Sequence, residues 1–200
     1  MKNEILAAAN LYAQGVKHVQ DRRDQWMKKH GELEKHLKAV AENLNANADY
    51  KQGFFVDTLQ AFDENINGVC ATMPSVTLRT GSMPMLVMFR NSMGEKREYI
   101  EQGFHITFTP TITGQIIVFL IPHQNELNKT PAEYSTLAII DEPGKLNMDA
   151  VDTIVSKGIE LAFYTSFTGM SEQQDDQQPQ APHAHSPIGF KLHETTEQVK

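Results

Sequence analysis

Eight histidines and a single cysteine are the side chains best suited to chemistry in these 200 residues. Their spacing gives no complete catalytic set. His183-Ala184-His185 puts two imidazoles within reach of one ion, but a dedicated metal site needs a third ligand, and none accompanies them. Cys70, between Val69 and Ala71, reads as a small buried hydrophobe, because a nucleophilic thiol needs a nearby base. His123 follows Pro122 at a strand exit, where a loop residue can line a pocket. His105 alternates with the apolar face of its strand and is expected to face solvent or a helix end. The carboxylate pairs Asp141-Glu142 and Glu98/Glu101 fall in a turn and on a strand flank, and read as solvated surface. The glycine-rich phosphate loop, the dinucleotide turn, the zinc-protease His-Glu pair and the serine nucleophile elbow are all absent. No catalytic, cofactor-binding or metal-binding residue is therefore assigned, and the pattern leans away from the familiar enzymes.

His18, His30 and His36 belong to the most regular stretch of the chain. In steps of four and three, residues 5–44 place Ile5, Tyr12, Val19, Trp26, Leu33 and Val40 at heptad position d. Ala9, Val16, Arg23, His30, Leu37 and Leu44 take position a. A period of 3.5 underwinds the helix and favours a left-handed pairing of helices. At about 1.5 Å per residue such a helix is near 60 Å long, too long for a small globule to cover, so pairing with a second copy is expected. The heptad phase runs unbroken through Gly15 and Gly31, which favours one rod over a hairpin. Arg23 and His30 interrupt the apolar seam. They fit a register device as well as a solvent-facing gap.

Composition divides the chain into a proline-free helical segment (1–50), a globular segment (51–168) and a polar, Gln- and Pro-rich tail (169–200) expected to be disordered. A second helix is expected from Gly53 to Asn67, with Phe55, Leu59, Phe62 and Ile66 on one face and Gly68 as its stop. Strands are expected at Ser75–Arg79, at Met85–Phe89 (covered on both faces), and at Tyr99–Thr109. Two more follow at Gln115–Ile121 and Tyr134–Ile140. A final helix, capped by Asn147, buries Val151, Ile154, Val155, Ile159 and Phe163. Strands without intervening helices predict an α+β fold: a long N-terminal coiled-coil-like helix, then an antiparallel meander of four or five strands flanked by helices.

The net charge of −7 is unevenly spread. Lys17, Arg22, Arg23, Lys28, Lys29, Lys35 and Lys38 make 17–38 basic, while residues 51–200 hold 10 basic and 18 acidic side chains. Interleaved carboxylates favour a solvated helix face over a nucleic-acid surface. No apolar run reaches the roughly 18 residues of a membrane span, and one cysteine allows no internal disulfide, so a cytoplasmic protein without membrane insertion is expected. Ile188, Phe190 and Leu192 alternate in the tail as an extended docking peptide would. These features point to a non-enzymatic assembly protein that homo-oligomerises through its first helix and presents the globular segment and tail to a protein partner. The alternative is a small-ligand sensor whose pocket, between sheet and helix, is lined by Phe104, Phe108 and Phe119.

Overall fold

The computed structural model describes residues 2–49, 51–59, 72–125 and 133–166. Helix α1 runs without a break from Lys2 to Asn47, through both glycines, roughly 70 Å at about 1.5 Å per residue. Its end is clasped to the next element. Asn45 accepts from the Phe54 amide (2.7 Å) and donates to the Phe54 carbonyl (2.9 Å), which sets the entry of strand β1, Phe54–Leu59.

That strand replaces the first turns of the helix expected over 53–67; the remainder of that span, with Phe62, Ile66 and Gly68, lies outside the described residues. The helical reading rested on the spacing of Phe55 and Leu59. A step of four is also even, so in a strand both fall on one face, and both are exposed there. Phe54 and Val56 turn the other way into the core, and aromatic and β-branched residues suit the pairing with β2.

Strands β2 (Ser75–Thr80), β5 (His105–Pro110), β6 (Ile116–Ile121) and β8 (Ser135–Ile140) join β1 in a five-stranded sheet, ordered β1-β2-β5-β6-β8 and antiparallel throughout. Val76, Leu78, Ile106, Phe108, Val118 and Leu120 line one face. Both helices cover that face. Helix α2 (Met148–Thr165) starts where Asn147 accepts from the Asp149 amide, as a capping residue should. Its Val151 and Val155 join Trp26, Leu33 and Leu37 of α1 in one core. Gln25 accepts from the Gly144 amide just ahead of α2, and His36 through Leu44 share a groove with Asp152 through Ile159, so the two helices run in the same direction. The α+β architecture is thus as expected. The boundary at residue 50, however, does not separate two cores.

A second, smaller sheet departs from the expected pattern. Strands β3 (Met83–Arg90), β4 (Lys96–Gln102) and β7 (Gln124–Asn125) pair in the order β3-β4-β7. The continuous strand expected over 99–109 is broken at Gly103, where a methyl group would sit 2.2 Å from the Thr80 carbonyl oxygen. Only glycine permits that approach, and the chain changes sheets there. Strand β3 is also not covered on both faces: Met85 is buried, but Leu86 and Met88 are exposed.

Candidate functional site

Three features of this frame bring residues together. The first is the free half of α1. The turn between β5 and β6 abuts the helix at residues 19–23, where Arg23 donates to the Ile112 carbonyl oxygen at 2.7 Å. Beyond that junction the seam splits. Trp26, Leu33 and Leu37 are completely buried by the chain's own sheet, and Val40 and Leu44 are half-buried. Trp26 also donates its indole hydrogen to the Pro74 carbonyl oxygen at 2.8 Å. These positions, assigned from the heptads to contact with another copy, serve the internal core instead, because the sheet supplies the apolar face that the seam required. Ile5, Ala9, Tyr12 and Val16 face solvent, with Tyr12 at 76% exposure. Arg23 marks the junction, and His30 is half-buried beside Trp26.

The second feature is the β3–β4 hairpin. Leu86 is 87% exposed at a φ of 58°, a conformation bulky side chains rarely adopt, and its amide donates to the Glu98 carboxylate at 2.8 Å. It sits where the register of β3 against β4 shifts. Met88, Met93 and Ile100 are also exposed on this hairpin, and Phe89 stacks on Tyr99 with centroids 4.4 Å apart. Apolar side chains gathered on a hairpin are the kind of surface that partners cover.

The third is a pocket of about 480 Å³ where the sheets meet the end of α2, with Phe54, Met83, Glu101, Phe104, His123 and Phe163 in its wall. Glu101 is only 1% exposed, which corrects the reading of it as solvated surface. His123 stands 3.9 Å from the Glu101 carboxylate, and its Nδ1 is 3.2 Å from the Gln102 carbonyl oxygen. Burial lowers the His123 pKa below its ordinary 6.5, against the opposing pull of Glu101 and of the Gln102 carbonyl. The Phe104 ring meets the imidazole edge to face, centroids 5.3 Å apart.

Of the other predicted residues, Phe104 alone among the three phenylalanines lines this pocket. Phe108 is core, and Phe119 lies on the opposite face of the sheet, against Tyr134. His105 is half-buried beside Arg79 rather than open to solvent. The basic face of α1 is partly spent in ion pairs, Lys29 with Glu32 and Lys38 with Glu34, as intrahelical pairing predicts. Cys70, His183, His185, Ile188, Phe190 and Leu192 lie outside the described residues. Among the described residues, no three His, Cys, Asp or Glu side chains gather to hold a metal ion, and no helix is long and apolar enough to cross a membrane.

Sequence reasoning missed Glu101 because the face it occupies inverts at Gly103. Ile106 and Phe104 point to the core, and continuing the alternation through Gln102 puts Ile100 inside and Glu101 outside. The strand instead leaves the main sheet, and Ile100 is half-exposed while Glu101 is buried. A glycine inside an otherwise clean strand pattern was the one available signal. Comparison of the chain with protein-family models, with curated proteins and with solved structures finds no significant match in any of the three.

Proposed function

We propose that this is a cytoplasmic, non-enzymatic assembly protein that self-associates as a coiled coil through the free half of α1. In this reading the β3–β4 hairpin and the C-terminal tail face a protein partner. The observation that carries it is the exposed stripe of Ile5, Ala9, Tyr12 and Val16, in phase with the seam that the sheet buries further along. A stripe of that period is matched by a helix of the same period, and every second copy of the chain brings one. Between residues 2 and 20 the only charged side chains are Lys2, Glu4 and Lys17, so two copies meet with little repulsion.

The test is the mass of the full chain by sedimentation across a wide concentration range, beside that of a Tyr12→Asp, Val16→Asp variant. The wild type is expected to associate. The variant is expected to stay monomeric and, at concentrations too low for the wild type to associate, to melt at the wild-type temperature, because both side chains are solvent-facing in the single chain. A wild type that is monomeric throughout, or a variant that associates equally well, overturns the proposal.

A further inference from the structure

The apolar stripe of α1 changes its role where the sheet begins, and that limits how a second copy can lie on it. We propose that two copies pair antiparallel, with Ile5 of each packed on Val16 of the other; the inference rests on the self-association proposed above. The β5–β6 turn reaches α1 at Gly114, where an added methyl group would lie 2.7 Å from Arg22 Cβ and 3.0 Å from the Val19 carbonyl oxygen. From Trp26 onward the same seam is filled by the chain's own sheet and α2. Helices in contact lie about 8–10 Å apart, which leaves no room for a sheet between them. In a parallel pair the partner's helix would continue along the seam into that sheet, and would bring its own sheet to the same place. Helix α1 runs unbroken from Lys2 to Asn47, so it has no joint at which the two could part. In an antiparallel pair the two sheets stand at opposite ends of the shared segment, and neither blocks the other.

Side-chain size selects the same arrangement and sets its register. A parallel pair in register stacks Tyr12 on Tyr12 and Ala9 on Ala9, which crowds one layer and leaves a gap in the next. Reversing one helix brings its a positions opposite the partner's d positions. Ala9 then faces the partner's Tyr12 and Ile5 faces the partner's Val16, and the two-fold axis repeats both pairs. Each exposed tyrosine gains a small neighbour, the large-against-small packing that fills a helical interface. Moving the register one heptad toward the sheets would set Ile5 against the partner's Arg23, which is engaged with the Ile112 carbonyl oxygen. Moving it the other way would leave Val16 uncovered. The flanking e and g positions are Leu6, Ala8, Ala13 and Gly15, none of them charged. Orientation therefore rests on packing and on the place of the sheet, not on ion pairs between the helices.

The experiment is disulfide cross-linking of the full-length chain carrying Cys70→Ser, which removes the only native thiol. Ile5→Cys and Val16→Cys are added to it singly, at side chains 65% and 54% exposed, so the fold is undisturbed. Each variant is incubated alone and as an equal mixture in a glutathione redox buffer, at a concentration where the wild type associates. The mixture is expected to give a disulfide-linked dimer and either variant alone none. In the antiparallel pair the two copies of one position lie roughly 16 Å apart along the axis, at about 1.5 Å per residue. A disulfide spans no more than about 7 Å between Cα atoms. Cross-linking of Ile5→Cys to itself, or of Val16→Cys to itself, overturns the antiparallel arrangement and leaves self-association standing. Sedimentation of the same samples under reducing conditions separates the remaining outcomes. Association without a cross-link in any combination places the contact elsewhere and overturns both proposals, as does a chain that stays monomeric throughout.

Discussion

His105 and His123 are both drawn out of water on forming the fold, one on the sheet face away from the helices and the other in the pocket wall. For His105 burial is the main cause of a lowered pKa. The Arg79 guanidinium adds to it and the Asp57 carboxylate opposes it. For His123 burial again outweighs Glu101 and the Gln102 carbonyl oxygen. The consequence has a definite sign. In the unfolded chain each ring takes up a proton near pH 6.5, while the folded ring resists until lower pH. Stability is therefore unaffected above about pH 7. It falls as the pH drops from the unfolded pKa toward the folded one, then levels off. Urea denaturation between pH 7.5 and 5.5, where most carboxylates stay ionised, is expected to show a falling midpoint for the wild type. His105→Gln, His123→Gln is expected to have a flatter profile over the same interval. A wild-type midpoint that holds constant across it would contradict the assignment of both rings.

Packing between elements shows which parts of the fold were legible and which were not. Helices α1 and α2 were readable because period and cap agree locally: a heptad run without proline, and Asn147 ahead of an apolar stripe. Strand β1 was not, since its helical and strand readings share the even step from Phe55 to Leu59, and pairing with β2 decides between them. The close contact of α2 with the sheet was equally hidden. A methyl group on Gly158 would lie 2.5 Å from Ile106 Cδ1 and 3.0 Å from Leu137 Cδ1, whereas one on Gly31 meets nothing within 4 Å. Helix propensity alone favours alanine over glycine at both sites by up to about 1 kcal/mol. Gly31→Ala is expected to realise that gain. Gly158→Ala is expected to lose about 1–3 kcal/mol, because Ile106 is completely buried and must turn its Cδ1 into an already packed core to make room. Equal effects of the two substitutions in chemical denaturation would show that α2 does not sit so close.

At the scale of the whole molecule, the question is where the chain divides. Composition suggests residue 50, since everything before it is helix. The core places the division near Val19, where the β5–β6 turn meets α1 and burial begins. Trp26, Leu33 and Leu37 are each wholly buried among sheet and α2 side chains, and truncating one such residue costs roughly 2–5 kcal/mol. Removing all three costs roughly 6–15 kcal/mol, as much as the roughly 5–15 kcal/mol by which a domain of this kind is stable. A chain starting at residue 51 is therefore expected not to fold. A chain starting at residue 17 should melt at the temperature of the wild type measured at concentrations too low for association, having lost only solvent-facing turns. Its Trp26 emission should stay blue-shifted and independent of concentration, because the indole is sheltered by its own chain. Its mass should be that of a monomer if the free half of α1 is what joins two copies. A folded, cooperative fragment from residue 51 would place the core wholly within the sheet and α2. An unfolded fragment from residue 17 would show instead that the free half of α1 supports the fold.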